Sequence, residues 1–292
     1  MTQTKIIVVV GATASGKSAL GETLALRFKG EIVSADSRQV YRGLDLGSGK
    51  EQLKVKQWGL DIVDPGERMT VVEWKRQAEV AIADIIQRGK VPIVVGGSGL
   101  YVDALVDNYS FAPEDATGGM RDELEKLSTG MLRERLTAIN PNSNIAQTNN
   151  RRHLIRALER ATLGQEPQKQ PSPYNWLLIG CERPRAELYQ RIDQRVDDRM
   201  KQGMLAEVEG LIKQGVSADW LRSLGLEYRY LTDYIEGKYP TLDEALQKLK
   251  YASHHFARRQ LIWWRRRTDI HWVTTTDQAI GLVRSFSKPQ GS

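Results

Sequence analysis

The sequence of 292 residues predicts an α/β fold, a parallel sheet with helices on both faces, together with a small inserted helical domain. Three observations support this prediction. The β-branched segment Lys5–Val10 is typical of a strand buried on both faces of a parallel sheet. A glycine-rich turn and a helical segment follow, and predicted strands and helices then alternate as far as Pro113. Helical patterns predominate beyond that point, until Trp176–Gly180 indicates a strand that returns to the core.

The elements of the first part follow in a regular order. Strands are predicted over Lys5–Val10, Glu31–Ala35, Trp58–Val63 and Val91–Val95, with a helix over Lys17–Phe28. A second helix is predicted as far as Gln87, because Thr70 and Glu73 have the spacing of a capping box.

The interruption of the alternation sets the expected domain boundaries. Residues 1–113 are predicted to form the first part of the core, 114–173 a helical insertion, and 174–292 the second part of the core. The last part contains two predicted long helices, Arg185–Gln214 and Leu242–Arg267. We expect a short, frayed tail after the second of them.

Composition and charge exclude several classes of protein. The content of 40% hydrophobic and 27% charged residues is typical of a globular protein, and the apolar runs are far shorter than the ~20 residues that span a bilayer. The single cysteine, Cys181, excludes an intrachain disulfide and a cysteine-rich zinc site. We therefore expect a cytoplasmic protein with no membrane partner. The net charge of +6 is a weak indication of a polyanionic partner.

A phosphate-binding motif lies between the first predicted strand and helix. The pattern G-x-x-x-x-G-K-[ST] is matched by Gly11, Ala12, Thr13, Ala14, Ser15, Gly16, Lys17 and Ser18. Backbone N–H groups of such a loop surround phosphate oxygens, the lysine adds positive charge, and the serine hydroxyl can bind Mg²⁺. The motif therefore predicts a P-loop NTPase-like sheet with a diphosphate or nucleotide site.

A phosphate loop identifies a ligand and not a reaction. An ordinary P-loop ATPase also has an apolar strand that ends in an acidic residue, whereas Val91–Val95 ends in Gly96-Gly97. The candidate acid is Asp36, which follows Glu31–Ala35. On chemistry alone, Asp36 is equally well a general base toward a nucleophile or a carboxylate that holds a metal-bound water or caps a helix.

Seven segments in order along the chain resemble the tRNA dimethylallyltransferase (tRNA isopentenyltransferase) family of bacterial type. They are residues 11–18, 34–50, 59–65, 95–101, 149–159, 191–196 and 257–263. The resemblance implies transfer of a dimethylallyl group from dimethylallyl diphosphate to N6 of the adenosine at position 37, 3′ of the tRNA anticodon, with release of diphosphate. It implies Mg²⁺ as cofactor, bound by Ser18, and the tRNA anticodon stem-loop as partner. We expect a monomer.

The resemblance also implies roles for individual residues. Asp36 matches the family's base, and Thr13 and Arg195 match the residues that steady the diphosphate. From the local pattern alone, Arg195 is more typical of an exposed helix arginine. The tRNA contacts that the resemblance implies are Asp36, Ser37, Arg38, Gln39, Ser98, Arg152, His153, Leu154, Ile155, Arg156, Arg222 and Arg229.

The basic residues are concentrated in two segments. Residues 251–268 carry five arginines and no acid, interleaved with aromatic side chains, which fits contact with phosphates and bases. We therefore add Arg258 and Arg259 to the candidate tRNA contacts, although an amphipathic helix with solvated arginines has the same composition. Together with residues 151–160, this segment carries more positive charge than the whole-chain excess of +6.

One segment departs from the family pattern. Gly225-Leu226-Glu227-Tyr228 stands where the family has Gly-Tyr-Arg/Lys-Glu/Gln, which leaves Arg229 as the replacement for the basic contact.

Three other functions are compatible with parts of the sequence. The alternatives are an adenylate isopentenyltransferase that acts on free nucleotides, a P-loop small-molecule kinase and a non-catalytic RNA-binding P-loop protein. ATP turnover or modification of AMP would distinguish the two enzymes from a tRNA transferase.

Overall fold

The computed structural model describes residues 3–111, 119–141, 143–163 and 168–288. The chain divides into two compact units, which we call the core unit (Met1–Val106 with Ser172–Ser292) and the inserted unit (Asp107–Pro171). The predicted boundaries at 113/114 and 173/174 lie later in the chain. They differ because residues 109–110 pair with residues 168–169 and belong to the inserted unit. Pro113 itself lies outside the described residues.

The core unit contains a parallel sheet. The strands of both units are β1 (Thr4–Gly11), β2 (Gly30–Ser34), β3 (Gln57–Trp58), β4 (Val91–Gly96), β5 (Tyr109–Ser110), β6 (Gln168–Lys169), β7 (Tyr174–Cys181) and β8 (Ile270–Val273). Among the described residues, six of these strands form one sheet in the order β3-β2-β4-β1-β7-β8, and every neighbouring pair is parallel. The predicted α/β class is confirmed.

Helices cover both faces of this sheet. The helices of both units are α1 (Lys17–Phe28), α2 (Val71–Gln87), α3 (Gly99–Val106), α4 (Met120–Glu125), α5 (Thr129–Ile139), α6 (Arg151–Leu163), α7 (Arg185–Lys201), α8 (Met204–Lys213), α9 (Ala218–Leu224), α10 (Leu226–Ile235), α11 (Leu242–Trp264) and α12 (Thr276–Ser287). The predicted capping box of α2 is confirmed, since Thr70 Oγ1 accepts from Glu73 N (3.2 Å) and Glu73 Oε2 accepts from Thr70 N (2.7 Å). Among the described helices, none is long and apolar enough to cross a membrane.

The apolar strand β1 supplies side chains to two separate cores. Ile6, Val8 and Val10 belong to the cluster on one face of the sheet, with side chains of α2, α3, α8, α10 and α11. Ile7 and Val9 belong to the cluster on the other face, with side chains of α1 and α12. The two sets alternate because successive side chains of a strand point to opposite faces. An unbroken apolar strand therefore fits the centre of a sheet that is covered on both sides.

Two of the predicted elements were wrong in length. The third strand, predicted over Trp58–Val63, ends at Trp58 because Gly59 (φ +81°) and Asp61 (φ +54°) have left-handed backbone conformations that interrupt a strand. The long helix predicted over Arg185–Gln214 is two helices, α7 and α8. They are separated at Gly203, where φ is +103°. Glycine adopts this conformation without steric cost, so the break was encoded by a single residue.

The expected frayed tail is also wrong for residues 268–288. Strand β8 pairs in parallel with β7, and helix α12 packs Ala279 and Val283 into the core on the α1 face. A second capping box, formed by Thr275 and Gln278, starts α12. The segment therefore completes the sheet and its apolar cover.

The inserted unit has its own small core. Helices α4, α5 and α6 and a short 3₁₀ helix (Asn144–Gln147) enclose the side chains of Leu132, Leu136, Leu154 and Leu158. The Glu159 carboxylate is 2% exposed and is paired with Arg121 at 2.7 Å. Strands β5 and β6 pair antiparallel at the two ends of the unit in sequence, and the other regular elements among its described residues are helices.

The buried carboxylate of Glu31 links strands β2 and β3 to the end of α2 and the start of β4. Glu31 on β2 is 2% exposed and accepts two hydrogen bonds from Arg88 (2.6 Å each), one from Lys90 (2.6 Å) and one from Trp58 Nε1 (2.9 Å). These donors, with Arg88 foremost, hold the pKa of Glu31 below its usual range against the opposing effect of burial. The ionised form is therefore the one that stabilises the fold.

We expect Glu31→Gln to lower the free energy of unfolding by about 2 kcal/mol at pH 7, because charge-assisted hydrogen bonds are lost. The folded-state pKa lies below the unfolded-state value of about 4.3, so this stabilisation is present above that value and is lost as the pH falls toward the folded-state pKa. Urea unfolding measures the free energy of unfolding at pH 7 and its change at pH 3.5, a pH about one unit below the unfolded-state pKa. Glu79→Gln, which removes an i,i+4 pair with Lys75 in which the glutamate side chain is 41% exposed, is the control and should change stability by less than about 0.5 kcal/mol. A difference between the wild type and Glu31→Gln that is independent of pH would contradict the assignment.

Candidate active site

The phosphate loop follows β1 at the carboxyl edge of the sheet and leads into α1. Its backbone is left-handed at Ala14 (φ +60°) and Gly16 (φ +95°). Gly16 is also the residue before the first turn of α1, whose N–H groups have no partner within the helix. At Gly11 (φ +155°) a Cβ atom would lie 2.6 Å from Ser15 Oγ and 3.2 Å from the Cys181 carbonyl oxygen. The glycines of the motif thus let the chain turn tightly over the end of the sheet.

Side chains from distant parts of the chain hold the backbone of this loop. Arg183 Nε donates to the Ser15 carbonyl (2.7 Å), and Arg191 Nε donates to the Ala14 carbonyl (2.9 Å). Gln260 of α11 accepts from Thr13 N (2.8 Å) and donates to the Gly97 carbonyl (3.0 Å). Gln260 thereby joins the phosphate loop to the end of β4. The loop is held in place by α7 and α11 as well as by its own glycines.

Two neighbouring cavities in the core unit meet at the phosphate loop. The first cavity is lined by charged, polar and aromatic side chains, among them Thr13, Lys17, Ser18, Asp36, Arg38, Gln39, Glu51, Arg195, Arg199, Glu227 and Phe256. The second is lined by residues of α7 and of the loop after β2, among them Arg191, Gln194, Asp198 and Lys50. Both cavities share Lys17, Ser18, Gly49, Glu51, Arg195 and Arg199. The loop therefore forms part of the wall of both.

Two cations that line these cavities, Lys17 and Arg195, are partly removed from solvent. Loss of hydration lowers the pKa of Lys17, and the charge of Asp36 opposes this effect. Loss of hydration also lowers the pKa of Arg195 to about 10, with the charge of Arg199 acting in the same direction. Both shifts show that the cations lack the solvation they would have in water. At neutral pH Arg195 is still protonated, so an anion bound here would gain most from the interaction.

Two guanidinium donors of the first cavity have no protein partner among the described residues. The Nε atoms of Arg38 and Arg195 are shielded from solvent and make no hydrogen bond within the described part of the chain. Another donor of Arg195, Nη2, bonds to Thr13 Oγ1. Since shielded donors are nearly always satisfied in folded proteins, the orphaned guanidinium donors are typical of a site for an anionic ligand.

Asp36 lies in the first cavity, directly after β2. One oxygen of its carboxylate accepts from Arg38 N (2.9 Å), which orients the group at the start of the following turn. Ser98 Oγ accepts from Ser37 N (3.0 Å), so the loops that follow β2 and β4 are joined beside the carboxylate. Asp36, Thr13, Lys17 and Arg195 thus line one cavity, and the roles predicted for them from the sequence stay predictions.

The other candidate RNA contacts of the core unit fall into two groups. Arg38 and Gln39 line the first cavity, where Arg38 lies over the Phe256 ring at 5.5 Å and Gln39 donates to the Gly49 carbonyl (3.0 Å). Arg258 and Arg259 are exposed on α11, and Arg259 also lies over Phe256, at 5.7 Å. Phe256 therefore lies within cation–π distance of two guanidinium groups and is an aromatic side chain that lines this cavity.

Arg222 and Arg229 are not among the residues that line the cavity. Arg222 is paired with the carboxylates of Asp219 (2.7 Å), Asp233 (2.7 Å) and Glu236. Arg229 donates to the Arg222 carbonyl at 3.2 Å. Acidic neighbours thus already engage the Arg222 guanidinium.

In the inserted unit, the five consecutive candidates differ in exposure. His153 is exposed, and Arg156 pairs with Glu159 at 3.3 Å. Leu154 (0% exposed) and Ile155 (5% exposed) are buried in the core of the unit, so their side chains are not at its surface. The side chain of Arg152 lies outside the described residues.

Gln260 and Arg199 were not predicted as site residues from the sequence. Glu227 was noted there only as a departure from the family pattern. Arg199 and Glu227 both line the first cavity and form an ion pair with 3.7 Å between Nη1 and Oε1. Gln260 stands in the matched segment 257–263, which was the available signal for it. Its long-range contacts with the phosphate loop have no local signature.

A strand, phosphate loop and helix at the carboxyl edge of a parallel sheet define a P-loop protein of the α/β class, here with an acidic residue at the end of the second strand. Comparison with known proteins gives the family. A family model described as IPP transferase matches residues 39–267, and the chain belongs to this family.

Named relatives and solved structures agree with this assignment. The chain is 40% identical over 280 residues to tRNA dimethylallyltransferase 1 of Geotalea uraniireducens, covering 92% of each chain. It is 40% identical over 285 residues to tRNA dimethylallyltransferase of Streptococcus agalactiae, covering 95% and 94%. The crystal structure of tRNA isopentenylpyrophosphate transferase from Bacillus halodurans is similar with a TM-score of 0.73 at 34% identity, over 98% of this chain and 95% of that one.

We expect Gln260→Leu to weaken binding of inorganic pyrophosphate about tenfold, because Thr13 N and the Gly97 carbonyl lose their shared partner and the phosphate loop loses a tether. Titration calorimetry in the presence of Mg²⁺ measures the dissociation constant. Gln247→Leu, an exposed change on the same helix, is the matched control. Equal affinities of Gln260→Leu and the wild type would contradict the proposed tethering.

Proposed function

We propose that this protein transfers a dimethylallyl group from dimethylallyl diphosphate to N6 of the adenosine 3′ of a tRNA anticodon and releases diphosphate. The observation that carries the proposal is the meeting of a phosphate loop, a carboxylate and partly dehydrated cations at one cavity. In this reaction the bond between the allylic carbon and the diphosphate oxygen breaks, and a bond from that carbon to N6 forms. The N6 proton leaves to a base, and the negative charge of the leaving group increases.

The phosphate loop and its cations suit the leaving group. Lys17 and the first turn of α1 would bind the diphosphate oxygens, and Arg195 would donate hydrogen bonds together with Thr13. Cations that have already lost hydration interact with a developing negative charge more strongly than cations in water. These groups would therefore lower the energy of the transition state in which the carbon–oxygen bond breaks.

We propose that Mg²⁺ binds beside the phosphate loop, where the donor set fits this ion. The Ser18 hydroxyl lines both cavities beside Lys17. Among the described residues, no group of three or more His, Cys, Asp or Glu side chains could hold a metal by itself. Mg²⁺ commonly takes a few protein oxygens and completes its shell with substrate phosphates and water. Bound here, the ion would neutralise charge on the diphosphate.

Asp36 is the proposed general base. Its carboxylate lies in the first cavity just after β2, and the hydrogen bond from Arg38 N orients it. A carboxylate within hydrogen-bond reach of N6 could take its proton as the nitrogen attacks. The adenine must leave its stack to reach the cavity, where we propose that it contacts Phe256, the aromatic side chain of the lining.

The proposed tRNA contacts differ in how well their positions in the structure support them. Ser37, Gln39 and Ser98 stand in or beside the cavity, and Arg258 and Arg259 are exposed on α11 near Phe256. A phosphate backbone passing over α11 would be attracted by these arginines. For Arg222, the three carboxylate partners favour a structural role instead.

We expect Asp36→Asn to lower the rate of prenyl transfer by about 10²–10⁴-fold, the usual contribution of a general base, and to change tRNA affinity by no more than a few-fold. Single-turnover transfer to an anticodon stem-loop and a filter-binding assay measure the two quantities. Asp64→Asn, an exposed residue paired with Arg42, is the control and should transfer at the wild-type rate. Full activity of Asp36→Asn would contradict the base assignment.

A further inference from the structure

One segment of the loop after β2 forms a wall of both cavities. Gly47, Ser48, Gly49 and Glu51 line the first cavity, and Gly49, Lys50 and Glu51 line the second. We call residues 47–51 the cleft wall. The Glu51 carboxylate lies close enough to favour the charged forms of Lys17 and Arg195. The position of the cleft wall therefore sets the space and the charge in front of the phosphate loop.

A carboxylate outside both cavities holds the start of this wall. Glu207 of α8 accepts hydrogen bonds from the backbone N–H groups of Asp45 (2.9 Å), Leu46 (2.6 Å) and Gly47 (3.0 Å). It also accepts from Tyr228 Oη (2.9 Å). Four donors occupy the lone pairs of both carboxylate oxygens, so the group has no capacity left for a substrate. Its contacts are those of a group that fixes a backbone.

Close packing leaves the wall little freedom to move. A Cβ atom on Gly47 would lie 2.5 Å from Cζ of Tyr228, and a Cβ atom on Gly49 would overlap the Arg199 guanidinium. Tyr228 is fully buried, and its pKa is raised by burial and by Glu207, so its hydroxyl stays protonated and donates. The other end of the wall is fixed by Lys50, which donates to the Tyr41 carbonyl (2.7 Å) and to Asp45 (2.7 Å).

We propose that Glu207 is a positioning residue for the diphosphate substrate: its hydrogen bonds hold the cleft wall against Tyr228 and Arg199, opposite the phosphate loop. The inference rests on the proposed function, because it names the diphosphate as the ligand whose binding the wall controls. Loss of the Glu207 contacts should affect diphosphate binding more than tRNA binding. The reason is position: Lys17, Ser18 and Arg195, which belong to the proposed diphosphate site, line both cavities together with the cleft wall.

Glu207→Gln tests the inference, because the new NH₂ group would face N–H and O–H donors in place of an acceptor. We expect the dissociation constant for Mg²⁺-pyrophosphate and the KM for dimethylallyl diphosphate to rise about tenfold, with the KM for tRNA unchanged. Glu209→Gln is the control on the same helix and should leave all three constants unchanged. Tyr228→Phe, which keeps the ring and removes one donor, should give a smaller rise, and combining it with Glu207→Gln should add less than its separate effect.

Three outcomes would overturn the inference: a lower thermal midpoint of Glu207→Gln with unchanged binding constants, an equal rise in Glu209→Gln, or an equal rise in the KM for tRNA. If Glu207→Gln does not fold, an unchanged pyrophosphate affinity of Tyr228→Phe would overturn it instead. If the wild type transfers no dimethylallyl group, the proposed function fails. The pyrophosphate titrations would still decide the role of Glu207.

Discussion

Partly dehydrated positive charge at the phosphate loop is the constraint on which the rest of the core unit depends. Lys17 and Arg195 have lost hydration, and Arg195 keeps a shielded donor without a protein partner. Such an arrangement costs stability in the absence of an anion. The surrounding fold supplies the rigidity that keeps it in place: Arg183 just before α7, Arg191 on α7 and Gln260 on α11 hold the loop carbonyls and an N–H group.

The same helices serve stability and chemistry. Helix α7 carries Arg191, Arg195 and Arg199 along one side, while Leu188, Ile192 and Val196 of the same helix are buried. Helix α11 buries Leu249, Ala257 and Trp264 and presents Phe256 and Arg259. Amphipathic periodicity therefore places the functional side chains at the cavity as a consequence of packing. A change in the apolar side of either helix would displace the phosphate loop as well.

The parts of the structure that sequence reasoning could predict have local causes. Consecutive β-branched residues define β1, Thr70 and Glu73 define the start of α2, and the glycines of residues 11–18 define the loop. The departure at Gly203 also has a local cause, since one glycine divides α7 from α8. By contrast, the contact between Thr13 and Gln260 and that between Gly47 and Glu207 join residues far apart in the chain. Only the tertiary fold specifies such contacts. Arg195 was assigned through family resemblance, because its local pattern is that of an ordinary surface helix.

Alkylation of tRNA at this cavity is tested most directly by mass spectrometry of an anticodon stem-loop RNA after incubation with the protein, Mg²⁺ and dimethylallyl diphosphate. We expect one dimethylallyl group on the adenosine 3′ of the anticodon, one diphosphate released for each group transferred, and no consumption of added ATP. An unmodified RNA together with prenylated AMP, or with hydrolysed ATP, would contradict it.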